Sequence, residues 1–201
     1  DLTDPEVAGT LAALRGGPGG EALVGIRHQV HDEPDAGWLL RDQVLAGLAA
    51  VAAAGLAYDL LVRERELPAA RAVAERLPQL TLVVDHLAKP RVREGVTAPW
   101  AGELAALARH PNVAGKVSGL VTESDWDAWT PAQLAPYVRH AAEVFGPERL
   151  LFGSDWPVCL LAATYAEVVA AAEETLELVG LAPAERAAVF GANARRLYGL
   201  A

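Results

Sequence analysis

The segment Leu150-Leu-Phe-Gly-Ser-Asp-Trp-Pro157 drives three apolar residues into Gly153, Ser154 and Asp155, and Trp156-Pro157 then stops the run. A buried strand ending in a carboxylate, where the chain must turn, aims a charge into a cleft. Asp155 is therefore the first candidate for a catalytic group. Four other apolar runs end in polar groups: Arg27-His28, Tyr58-Asp59, Asp85-His86 with Lys89 just beyond, and Lys116 with Ser118. The polar residues thus cluster where strands stop.

The lysines carry a signal of their own. Arginine outnumbers lysine 15 to 2, and both lysines fall at or just past a strand end, in Asp-His-Leu-Ala-Lys89-Pro and Ala-Gly-Lys116-Val-Ser-Gly. Lysines serving solubility alone would not show that bias, so a positional role is expected for Lys89 and Lys116. Adjacent residues on a strand face opposite ways. Of Asp85 and His86, only one is then expected to face the cleft, the other tying down a loop. By the same alternation His28 is expected to be structural. Arg27 could equally be an ion-pair partner and Asp59 a loop anchor. Trp38, Trp100, Trp126 and Trp129 read as loop packing, the last two able to wall a pocket. His110 and His140 read as surface residues.

The elements that must position these groups alternate. Apolar, β-leaning runs occur at Leu23–Val30, Ala57–Val62, Leu80–Leu87, Val113–Leu120 and Leu150–Phe152. Helical patterns occupy Pro5–Arg15, Asp42–Ala54, Leu67–Arg76, Trp100–Arg109, Pro131–Phe145, Tyr165–Val179 and Pro183–Tyr198. Glycine or proline follows the first five helices as a stop signal. Strands alternating with helices, each strand almost wholly apolar, predict a parallel α/β sheet covered on both faces. The long irregular stretches, His31–Arg41, Ala88–Pro99 and Val121–Thr130, follow strands, the functional side of both barrels and open sheets.

Composition narrows the class. The chain has 201 residues, is 52% hydrophobic and carries a net charge of −9 with no basic block. That argues against a nucleic-acid partner and is what a soluble protein would be expected to show. No apolar run reaches the ~18–20 residues that span a bilayer, so no membrane role is expected. The one cysteine, Cys159, excludes an internal disulfide and suits a reducing compartment, the cytoplasm. No CxxC, P-loop, GxGxxG after a strand, or Gly-x-Ser-x-Gly elbow is present. The chain has no methionine and opens directly on a helix entrance, Asp1-Leu-Thr-Asp-Pro5. The expectation is the C-terminal part of a longer protein, residues 1–201 forming one partial domain; removal of an initiator methionine is the alternative.

An ordered set of segments resembles the amidohydrolase superfamily, most closely its sugar-lactone (fuconolactonase-like) and pyrone-dicarboxylate lactonase branch. These are Gly25-Ile-Arg-His28 with Glu33-Pro-Asp35, Leu82-Val-Val-Asp-His86-Leu-Ala-Lys-Pro90, Asn112-Val-Ala-Gly-Lys-Val-Ser-Gly-Leu120, Leu151-Phe-Gly-Ser-Asp-Trp-Pro157, and Phe190-Gly-Ala-Asn193-Ala194 leading to Arg196-Leu-Tyr198. The resemblance implies a (β/α)8 barrel, of which this chain holds about the last five β/α units, with the active site at the C-terminal strand ends. It implies that Asp155 is the general base and that His86 polarises the substrate carbonyl or steadies the oxyanion. Arg27, Lys89 and Lys116 would bind substrate oxygens, Asp59 would accept from sugar hydroxyls, and Trp156 would join the substrate-binding set. The reaction expected is opening of a small polar lactone in carbohydrate metabolism. Metal-dependent decarboxylation or amide hydrolysis on the same scaffold, and a non-catalytic partial barrel, are the alternatives.

The resemblance also bears on metal. In the family a His-x-His pair ends the first strand, and the sequence contains no His-x-His. The resemblance places Asp1–Pro5 just after the third strand, so the pair would precede residue 1. A divalent metal such as zinc is thus left open, with its usual ligand pair outside this sequence. A partial barrel exposes strand edges; if the native chain is this short, self-association or poor solubility is expected.

Overall fold

A computed structural model of the chain describes residues 1–200. Five strands, β1 (Gly25–His28), β2 (Ala57–Leu60), β3 (Leu82–Val84), β4 (Val113–Val117) and β5 (Leu150–Phe152), form one parallel sheet in the order β1-β2-β3-β4-β5. Each strand pairs with the next in sequence, and the order never reverses as it does in a doubly wound sheet. This is the strand progression of a (β/α)8 barrel. The first four strands are shorter than the apolar runs that announce them, because ladder pairing stops where each chain turns away; β5 matches its run.

The helices are α1 (Val7–Gly16), α2 (Asp42–Ala53), α3 (Leu67–Arg76), α4 (Trp100–Ala108), α5 (Pro131–Phe145), α6 (Tyr165–Leu178), α7 (Pro183–Ala187) and α8 (Asn193–Tyr198). Their starts follow from local chemistry. At α6 the Thr164 hydroxyl accepts from the Glu167 amide while the Glu167 carboxylate accepts from the Thr164 amide at 2.7 Å, a reciprocal capping box. The single long helix expected over Pro183–Tyr198 is instead α7 and α8 joined by a π-helical turn, Ala188–Ala192.

Strand alternation divides the sheet into two unlike faces. Ile26, Tyr58, Leu60, Leu82, Val84, Val113, Val117 and Leu150 pack with the helices into one large apolar cluster. Each fully buried leucine there contributes roughly 1.5–3 kcal/mol. The opposite face carries a small cluster, Val83, Ala114 and Leu151, met by Ala194, Leu197 and Tyr198 of α8. The expected parallel sheet is found, with packing on both faces but of unlike extent. Apolar helices cover one face, and on the other only α8 adds to an otherwise charged surface.

The two ends of the sheet also differ. At the helix-to-strand end, single polar side chains staple loops: Asn112 donates to the carbonyls of Leu77 and Leu80, and Asn193 to those of Pro147 and Leu150. Arg149 donates to the carbonyls of Ala108, His110 and Val113. These satisfy backbone groups and serve stability. The ionisable side chains singled out above gather at the C-terminal strand ends and on the helix-poor face.

Candidate active site

Arg27, Asp59 and Lys116 lie on the helix-poor face, out of the apolar cluster, because each alternates with an outward residue of its strand. Lys116 Nζ stands 2.7 Å from Asp59 Oδ2 and 2.6 Å from Asp85 Oδ1. Arg27 reaches Asp85 Oδ2 at 3.2 Å, and the Tyr198 hydroxyl donates to Asp59 Oδ1 at 2.7 Å. A continuous chain of opposite charges thus runs from α8 through Asp59, Lys116 and Asp85 to Arg27. Burial is the largest single influence and would raise the Asp85 carboxyl, but the neighbouring cations together, Lys116 foremost and Arg27 with it, hold the group below its ordinary value. Burial likewise opposes the Lys116 charge, and Asp59 and Asp85 more than compensate, so its ammonium is held more firmly than usual. Arg27 is the exposed end of the chain, with 54% of its side chain open to solvent.

Asp155 and His86 meet above this network. His86 Nε2 is 3.4 Å from Asp155 Oδ1, and its Nδ1 is 2.8 Å from the Ser118 hydroxyl. Burial pushes the His86 imidazole down to about 4, so it is neutral at pH 7. Burial raises the Asp155 carboxyl, with Lys89 pulling the other way. Asp155 Oδ2 is buried and accepts no hydrogen bond among the described residues. Gly119 makes this packing feasible. At φ +62° it sits under the imidazole, where a Cβ would lie 2.7 Å from His86 Nδ1 and 3.1 Å from Asp155 Oδ2.

The expectation that only one of Asp85 and His86 faces the cleft is wrong. Strand β3 stops at Val84, and residues His86 to Lys89 then run at φ +53°, +48°, +60° and +51°. Beyond the strand, alternation no longer applies. The left-handed turn brings His86 and Asp85 to the same site. It also turns Lys89 toward Glu123, 2.7 Å away, and Glu123 in turn lies 3.6 Å from Arg63.

The other expected residues separate. Lys116 is enclosed by two carboxylates, and Lys89 is paired. Trp156 is 63% exposed and points to solvent. His28 is structural, as expected: it is stacked on buried Trp38 and bonded to Glu33 at 2.8 Å. His140 is not a plain surface residue, since its Nε2 lies 2.8 Å from the Ala101 carbonyl and its ring packs on Trp100. Trp129 ties its loop to the Ala162 carbonyl, and Trp126 is half exposed. Sequence reading gave no role to Ser118, Gly119, Glu123, Arg63 or Tyr198. Only Ser118-Gly119 carried a signal, as a small polar pair directly after Lys116.

A zinc site takes at least three protein ligands. Among the described residues no three His, Cys, Asp or Glu side chains converge in that way. His86 and Asp155 supply two donors, and these residues alone do not fit the metal.

The family model for amidohydrolases matches residues 1–200. The chain belongs to the amidohydrolase family. It is therefore an enzyme chain related to known hydrolases. An L-fucono-1,5-lactonase of Burkholderia multivorans is 41% identical over 210 residues, covering 100% of this chain and 69% of that protein. One from Burkholderia ambifaria is 37% identical, covering 98% of this chain and 68% of its own length. A solved amidohydrolase structure from Burkholderia multivorans, with bound zinc, superposes with a TM-score of 0.92 at 40% identity, over 100% of this chain and 72% of that one. This amidohydrolase chain carries Asp155 and His86 at the strand ends where barrels of this kind place their chemistry. Among its described residues no helix is long and apolar enough to cross a membrane.

Proposed function

We propose that this amidohydrolase opens a small polar lactone, a sugar lactone, by base-assisted attack of water. The observation that carries the reading is Asp155: a strand-end carboxylate, partly desolvated, with one buried oxygen free of partners among the described residues and His86 beside it. Desolvation raises its pKa, which makes it a stronger base than a carboxylate in water. The lactonase relatives support the substrate class, since they are similar over nearly all of this chain.

The chemistry needs few groups. The Asp155 carboxylate takes a proton from water as the water oxygen bonds to the lactone carbonyl carbon. His86 is neutral, and its Nδ1 lies 2.8 Å from the Ser118 hydroxyl; in the tautomer that carries the proton on Nε2 it donates toward the carbonyl oxygen as charge develops there. Collapse breaks the bond to the ring oxygen, which leaves as a hydroxyl after receiving the proton from Asp155. Arg27, at the exposed end of the ionic chain, and Lys89 bind substrate oxygens in this reading. Asp59 and Lys116 act from beneath by holding Asp85, and through it Arg27. Trp156 contributes at the rim.

A pH-indicator assay over a panel of sugar lactones, on the protein's full natural chain, tests the reading. Acid release from at least one sugar lactone, abolished by His86→Ala, is expected. Release from none of the panel would refute it.

A further inference from the structure

We infer that Trp100 is a positioning residue for the reaction, acting through the left-handed turn that presents His86 and Lys89; this rests on the lactonase reading above. Left-handed backbone is normally visited by single residues, and by glycine, asparagine or aspartate above others. Here four consecutive residues, His86, Leu87, Ala88 and Lys89, adopt it, and none is glycine. Such a run persists only where its surroundings over-determine it.

Two contacts do so. The Trp100 indole N–H, at the start of α4 and buried, donates to the Leu87 carbonyl at 2.6 Å, in the middle of the turn. The Leu87 side chain is fully buried against Gly115 of β4, where a Cβ would stand 3.1 Å from Leu87 Cδ2. The turn is closed on itself by the Lys89 amide donating to the His86 carbonyl at 2.8 Å. One buried carbonyl held from α4 thus fixes the directions of the two side chains that flank the turn. His86 goes to Asp155 and Ser118, and Lys89 goes to Glu123. Trp100 itself touches neither His86 nor Asp155 by any hydrogen bond in the structure, and its ring packs on Tyr137 and His140. Its effect on chemistry is therefore indirect.

The experiment compares Trp100→Phe, which removes the donor, with site-specific 3-benzothienylalanine at position 100, which removes it while keeping the shape of the indole. The first readout is hydrogen exchange at the Lys89 amide, set against the Tyr58 and Leu82 amides, which bond the Thr81 and Asn112 carbonyls. Losing one hydrogen bond predicts Lys89 exchange faster by about tenfold, with the reference amides changed much less. The second readout is turnover of L-fucono-1,5-lactone, where kcat is expected to fall by about tenfold with KM nearly constant. The third is rescue: Ala88→Gly in the Trp100→Phe background relieves the left-handed backbone and is expected to restore several-fold of the lost kcat. If Trp100 only filled the core, its loss would lower the protection of all these amides alike, and Ala88→Gly would restore nothing. Equal loss of protection at Lys89 and the reference amides in both variants, or a loosened turn with unchanged kcat, would overturn the inference. If the unaltered protein hydrolyses no lactone, the proposed function falls, and the exchange at Lys89 still decides whether Trp100 holds the turn.

Discussion

Lys116→Met removes the central cation of the buried network while keeping most of its apolar stem. Lys116 Nζ faces Asp59 at 2.7 Å and Asp85 at 2.6 Å, and the Asp85 side chain has no exposure to solvent. Breaking a buried ion pair by removing one partner costs about 3–5 kcal/mol, because the remaining charge is left without compensation. Arg27 still reaches one Asp85 oxygen at 3.2 Å. That moves the expected loss to the lower half of the range, about 3 kcal/mol. For a chain of this size such a loss lowers the melting temperature by about 6–12 °C. The pH dependence has a definite sign. With Lys116 present the folded Asp85 carboxyl lies below its unfolded value, so its contribution is present above that value and lost as pH falls through the folded one. Without Lys116, burial dominates and the folded pKa rises. The penalty is then full at pH 7 and relieved on acidification. Thermal melts at pH 7 and pH 5 should therefore show a smaller gap between variant and parent at the lower pH. Adding Asp85→Asn should recover part of the loss. A Lys116→Met melt within about 2 °C of the parent at pH 7, or no recovery in the double variant, would refute the reasoning.

Gly119→Ala places a methyl 2.7 Å from the His86 ring and 3.1 Å from Asp155 Oδ2, at a φ that alanine disfavours. It should reduce turnover by about a hundredfold, equivalent to about 2.7 kcal/mol on the barrier, and destabilise the fold by about 1–2 kcal/mol; steady-state kinetics with a urea melt separates the two. Stability should also fall with acid through His86. Its folded pKa of about 4 lies below the ordinary 6.5, so the unfolded chain binds a proton that the folded chain refuses. Stability attributable to His86 is fully present above pH 6.5 and lost as pH falls toward 4, by on the order of 3 kcal/mol. Urea melts of the parent and of His86→Gln across that window should converge as pH falls. Turnover should rise with pH through the raised Asp155 pKa, since only the carboxylate can take a proton; a kcat profile flat from about pH 4 to pH 8 would contradict it.

Much of the architecture is legible in the sequence because its signals are local. Leu67–Arg76 and Pro131–Phe145 are bounded by the residues that start and stop them, and their ends coincide with α3 and α5. Asp155 is visible because a buried strand has few ways to end in a carboxylate. The rarity of lysine singled out Lys89 and Lys116, but not that each would be paired. Those partners are remote in sequence, Asp59 by 57 residues and Glu123 by 34, and only folding brings them together. The joint use of Asp85 and His86 was hidden because strand periodicity was extended past Val84 into a left-handed turn. Trp156, which the resemblance puts in the substrate-binding set, stands exposed at the rim beside Asp155, a position no local pattern fixes.

Turnover and stability of Asp155→Asn, measured together on a sugar lactone that the parent opens, test the central claim most directly. Burial raises the Asp155 carboxyl, so its charge costs stability at pH 7, and the neutral amide should melt at the same temperature as the parent or higher. The account predicts that this well-folded variant hydrolyses no lactone. Turnover near that of the parent would contradict Asp155 as the base.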